Sequence, residues 1–127
     1  MVLKKSLYAV VLGLSLVGAS PVIHAGDMGD SFDAAIAGDY NSAMSIWQAL
    51  AAQGNGQAQF NLGLAYHGGV GVERDETIAL TWYRKAAESG YDKAQAYLAV
   101  AYEEGWFGLP QDHEKANYWR QKAGLEM

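Results

Sequence analysis

The chain has 127 residues, nine basic and 14 acidic side chains, a formal net charge of −5 and no cysteine. That acidic balance argues against nucleic acid or an anionic membrane as partner. The lack of cysteine excludes disulfides, Cys-based metal sites and thiol catalysis, so stability has to come from helix packing.

Lys4 and Lys5 precede an apolar run from Leu7 to Val17, followed by Pro21, Ile23 and small Ala25. Positive, apolar, then small is the order of a secretory signal peptide, so residues 1–25 are expected to be a cleaved leader. The run is too short to cross about 30 Å of hydrocarbon, and no cysteine follows it to carry a lipid anchor. Cleavage after Ala25 would leave residues 26–127 as one domain in the periplasm, or secreted, with seven basic and 14 acidic residues and a net charge near −7. A domain of roughly 100 residues buries about two-thirds of its unfolded surface, enough for one continuous core.

Gly26 to Gly29 reads as a short polar leader to the domain. Phe32, Ala35 and Ile36 then have the i, i+3, i+4 spacing of a helix face. Gly38-Asp39-Tyr40 ends that helix, and a second is expected from about Asn41 to Gln53, with Ala43, Ile46, Trp47 and Leu50 inward and Asp39 or Asn41 as cap. A third helix, from about Gln57 to His67, places Ala58, Leu62 and Tyr66 on one face. Gly63 beside Leu62 has no side chain and allows close approach of a neighbour. After the Gly68–Gly71 break, a fourth helix from about Asp75 to Glu88 carries Ala79, Trp82, Tyr83 and Ala86, with Asp75 as N-cap.

The chain then repeats itself. At a shift of 36, Gly54 falls on Gly90, Ala58-Gln59 on Ala94-Gln95, Leu62 on Leu98 and Gly69 on Gly105. At a shift of 37, Asp75 meets Asp112, Ala79 meets Ala116 and Trp82 meets Trp119, which places a one-residue insertion in the Gly105–Gln111 loop. Fixed-period similarity of this length marks a stacked helical repeat. A partial unit spans about residues 30–54, and full units span about 55–90 and 91–124. In the last helix, Lys115, Asn117 and Arg120 stand where the earlier one has Ile78, Leu80 and Tyr83. Such a polar outer face suits a terminal repeat.

The first full unit resembles the Sel1-like repeat family, a relative of the tetratricopeptide repeat. It matches that pattern at Ala58, Leu62, Gly63, Tyr66, Gly69, Gly71, Val72, Asp75, Ala79, Trp82, Tyr83, Ala86, Ala87 and Gly90. The second unit departs at Ala99, Arg120 and Gly124, and its loop carries Trp106-Phe107 and Leu109-Pro110. The resemblance covers about Phe32 to Gly124. It implies an all-α fold, an α/α superhelix of five to six helices, and a non-catalytic module that binds another protein. Carried over by position, it implies a concave groove lined by the first helix of each unit: Gln57, Phe60, Asn61, Leu64 and His67, then Lys93, Ala96, Val100, Glu103 and Glu104.

Phe60 and Leu64 lie one turn apart outside the repeat's packing pattern, as exposed apolar residues in a binding groove would. Trp106 and Phe107, two large aromatics in the Gly-rich loop at the insertion, form a second candidate contact at the groove's rim. Other constellations lack the chemistry. Glu103 and Glu104 are adjacent on a helix and diverge by about 100°, and Asp112-His113-Glu114 reads as a helix cap. No metal, cofactor or catalytic residue is expected. Gly68-Gly69-Val70-Gly71 lacks the Lys-Ser/Thr of a phosphate loop. The reading is an exported adaptor, monomeric or weakly dimeric, whose partner is an unidentified protein. A periplasmic inhibitor or immunity protein against a toxin is the alternative, and a hydrolase the remote one.

Overall fold

The computed structural model describes residues 27–125, and the predicted leader of residues 1–25 lies outside them. Among the described residues there are six α-helices: α1 (Asp27–Ile36), α2 (Tyr40–Ala52), α3 (Gly56–Gly68), α4 (Glu76–Glu88), α5 (Asp92–Glu104) and α6 (His113–Lys122). A short 3-10 turn (Trp106–Gly108) joins α5 to α6. Each helix packs chiefly on its neighbours in sequence, so three hairpins, α1/α2, α3/α4 and α5/α6, stack into an α/α superhelix.

The boundaries follow from local chemistry. Asp39, Asn55, Asp75 and Asp112 each accept a hydrogen bond from the backbone N–H three residues on, satisfying one of the orphan donors of α2, α3, α4 and α6. At Asp39 the Ser42 hydroxyl also donates, at 2.6 Å, and this bond holds the carboxyl below the usual aspartate range. Gly69 and Gly105, in the left-handed region at φ 67° and 75°, close α3 and α5.

The domain's first residues differ from expectation. Asp27 to Gly29 are helical, not a leader. The reason is Met28, which packs against the core, and Ser31, whose hydroxyl donates to the Met28 carbonyl at 2.6 Å. Ser31 is fully buried because its oxygen also accepts from the Trp47 indole N–H at 2.8 Å. Ile36, placed by its spacing on the inward face, is instead 85% exposed at the helix end.

The core has two centres. Met44, Trp47 and Leu50 of α2 meet Leu62 and Ala65 of α3, while Leu80 and Tyr83 of α4 meet Leu98 of α5. Tyr66 packs against both and joins them. Leu62 and Leu98 are fully buried, each contributing about 1.5–3 kcal/mol by removal from water.

Two contacts recur and fix the geometry. A Cβ at Gly63 would stand 2.5 Å from ring carbons of Tyr83, so this close approach needs glycine. Trp47, the Tyr83 equivalent one unit earlier, meets Ser31 at the matching place through its indole N–H, which donates to the hydroxyl at 2.8 Å. In the last unit Ala99 replaces the glycine and Arg120 replaces the aromatic. Arg120 reaches Glu103 on α5 at 3.7 Å, so the terminal helix is held through a polar side chain. The second contact is made by glutamine. The buried Gln59 and Gln95 side chains donate to the carbonyls of Ala51 and Ala87, at 3.2 and 3.1 Å. Each ties the start of one hairpin to the end of the one before.

Candidate protein-binding surface

The first helices of the hairpins, α1, α3 and α5, share one face. The contacts just described set their register: Ser31, Gly63 and Ala99 are equivalent, so Phe32, Leu64 and Val100 are equivalent too. These three apolar side chains are 40%, 45% and 38% exposed. Leu64 and Phe32 wall a hollow of about 270 Å³ shared with Ala35, Trp47, Asn61, Ala65 and Val70. Of the groove residues named from sequence, this hollow gathers Asn61 and Leu64. Phe32 and Val70 were missed, Phe32 because its i, i+3, i+4 spacing marks a buried stripe equally well.

Phe60, one turn before Leu64, sits elsewhere. Its ring is half-buried between Tyr83, Tyr91 and Tyr97, with centroids 5.5, 5.5 and 6.0 Å away. His67 joins this aromatic cluster. Its Nδ1 lies 3.2 Å from the hydroxyl oxygens of both Tyr83 and Tyr97, and the direction of each contact depends on the imidazole tautomer. Burial pushes the Tyr83 phenol well above the ordinary tyrosine range, and the neighbouring Tyr97 phenol adds to the shift.

The loop aromatics turn toward the same cluster. Phe107 packs its ring edge-on to His67 at 5.0 Å and lies 5.7 Å from Tyr83. Trp106 stands edge-on to Tyr97 at 5.4 Å, and its indole N–H donates to Glu104 at 2.8 Å. Phe107 has φ 57°, the one non-glycine with positive φ among the described residues. That conformation costs a residue with a Cβ about 1–2 kcal/mol, offset by ring contacts each worth about 0.5–1.5 kcal/mol.

The remaining named positions stay apart. Glu103 lies 3.2 Å from His113 Nδ1 and pairs with Arg120 at 3.7 Å. Gln57 and Lys93 lie near the starts of α3 and α5, and Ala96 is half-buried. Among the described residues no group of three or more His, Asp or Glu side chains is placed to hold a metal ion, and no helix is long and apolar enough to cross a membrane. Tyr97 and Tyr83 were not singled out as site residues, although Tyr83 was named in the repeat's packing pattern. Tyr97 stands where the preceding unit has Asn61, and that substitution was the available signal.

The Sel1 repeat family matches residues 56–91 and 92–125. A solved Sel1 repeat protein from Oxalobacter formigenes is 40% identical, with a TM-score of 0.60 over 67% of this chain and 64% of its own. A protective antigen of uropathogenic Escherichia coli that displays this fold is 34% identical, with a TM-score of 0.65 over 78% of this chain and 22% of its own. Among relatives by sequence, an uncharacterised protein of Neisseria meningitidis is 34% identical over 69% of this chain and 18% of its own length. A component of an ERAD-associated E3 ubiquitin-protein ligase from Arabidopsis thaliana is 33% identical over 54% of this chain and 10% of its own length. The chain thus spans less than a fifth of these two relatives.

Proposed function

The chain belongs to the Sel1 repeat family, whose members are typically non-catalytic protein-interaction modules, and from this we propose that it binds a partner protein across the face formed by α1, α3 and α5. The observation that carries this reading is the row Phe32, Leu64 and Val100. Three apolar side chains at one register are left exposed although each costs free energy in water, on the order of 25 cal/mol per Å². The row continues into the hollow at Leu64, which has room for an apolar side chain of the partner. The chain's acidic balance favours a partner with basic flanks, because opposite charge raises the rate of encounter.

The chain acts outside the cytoplasm, after removal of residues 1–25. Support for this comes from the positive, apolar and small order of its first residues. No catalytic role is assigned to any residue.

The test is cross-linked capture from the cells that make the protein, with wild type beside a Leu64→Asp/Val100→Asp double variant. Both positions are exposed, so the variant should keep wild-type helicity. Loss of a specific partner, equal to a drop in affinity of about a hundredfold or more, is the expected result. The captured wild-type chain should begin at Gly26. A partner that survives the double variant would place the contact off this face, and an N-terminus at Met1 would remove the export assignment.

A further inference from the structure

Beside this face, the cluster of His67, Tyr83 and Tyr97 is covered by the chain's own Phe107. Comparison of the two loops identifies this residue as the insertion. Gly69 corresponds to Gly105 and Val70 to Trp106, while Gly71, Val72 and Asp75 correspond to Gly108, Leu109 and Asp112. The backbone agrees: Gly71 and Gly108 have φ of 72° and 71°. Phe107 is left over, held in a left-handed conformation by the Leu109 N–H bond to the Trp106 carbonyl at 2.9 Å and by the contacts of its ring.

That contact is a box. Tyr83 and Tyr97, in contact with each other at 4.6 Å between ring centroids, form its floor, His67 closes it edge-on, and both phenol oxygens lie 3.2 Å from His67 Nδ1. His67, Tyr83 and Tyr97 also contact one another directly, and Phe107 shows what they accept: a flat aromatic ring. Glycine on the C-terminal side, Gly108, and Gly105 two residues before give the turn two positions able to swing the ring out.

We propose that the box formed by His67, Tyr83 and Tyr97 is a receptor for an aromatic side chain of the protein partner, occupied in the unbound chain by Phe107. The proposal rests on the binding face argued above and adds the chemistry of one anchor. On binding, the partner's ring replaces that of Phe107, and the strained turn relaxes. An intramolecular plug acts at an effective concentration of the order of millimolar or above. It therefore lowers the apparent affinity of any ring that competes for the box.

The test needs no partner. Indole and 4-methylphenol are titrated into the wild type, Phe107→Ala and Phe107→Gly, followed by NMR shifts of His67, Tyr83 and Tyr97. Phe107→Gly removes ring and strain together, and so supplies a folded box should the alanine variant be unstable. The expected result is binding by the variants, with shifts centred on the box and affinity at least about tenfold above wild type. Equal affinity in wild type and variants, shifts centred on Leu64 and Phe32, or no binding by either folded variant would each overturn the proposal. With a captured partner in hand, Phe107→Ala should tighten binding. If capture depends on Leu64 and Val100 but is unchanged by Phe107→Ala, the box is not an anchor and the binding face stands. If the probes fill the box while no partner depends on Leu64 and Val100, the face assignment falls and the aromatic site remains.

Discussion

Gly63 and Tyr83 show how one atom decides the spacing of a hairpin. Alanine has the better helix propensity, by about 1 kcal/mol, and in an exposed helix the substitution Gly63→Ala would stabilise. Here the added methyl would meet the Tyr83 ring at 2.5 Å, and that ring is fully buried with its hydroxyl held at His67. The ring has nowhere to retreat, so overpacking wins. Gly63→Ala should destabilise by about 1–3 kcal/mol, read from the midpoint of a urea unfolding curve at unchanged slope. The need for close approach was legible, since glycine follows Leu62 inside a helix. Its partner was not. The register that brings Tyr83 onto Gly63, and lets Ala99 and Arg120 serve in the last unit, appears only when two helices are placed together.

Helix positions were legible because their punctuation is local. Asp39 and Asp75 cap where they were expected to, and Gly68–Gly71 and Gly90 separate the elements. The start of α1 was not, because Gly26 to Gly29 carries no stop signal other than glycine, and the contacts of Met28 that hold it come from later in the chain. The same limit applies to the binding face. Phe60 and Leu64 are equivalent in a helical pattern, yet Phe60 meets Tyr91 and Tyr97 from the next hairpin, and Leu64 borders a hollow. Between hairpins the buried glutamines do the joining. Gln95→Leu keeps the volume but removes the side-chain donor to the Ala87 carbonyl, which retains the Gly90 N–H, a loss of about 0.5–1.5 kcal/mol. Gln59→Leu should cost a similar amount at the preceding junction. The two sites share no partner, so a double variant should lose nearly the sum. A thermal or urea series on the three variants checks this, and strong non-additivity would mean that the two junctions open together.

A stack of hairpins holds together through nearest neighbours, so its stability is distributed along the chain and not pooled in one centre. Here the middle is favoured on both sides. Helix α4 buries Ala79, Leu80, Tyr83, Ala86 and Ala87 between α3 and α5, whereas α6 buries Ala116 as its one fully enclosed residue. Trp119, partly buried against the core, and polar contacts such as Glu103 with Arg120 hold α6, and most of its other side chains face solvent. Exposed ion pairs contribute about 0–1 kcal/mol each, less than the burial of one leucine. Native-state hydrogen exchange should therefore rank the helices. Amides of α6 should exchange through local opening well below the global free energy, and those of α3 to α5 should approach it. Removing the Glu103 contact, as Glu103→Gln, should speed exchange in α6 while leaving α4 nearly unchanged. Equal protection across α3 to α6 would show that the stack opens as a single cooperative unit, with the aromatic box coupling the last hairpin to the middle. Graded protection would place the box at the boundary between a rigid α3–α5 unit and a looser end, where a turn that must move aside for a partner can do so without unfolding the face beside it.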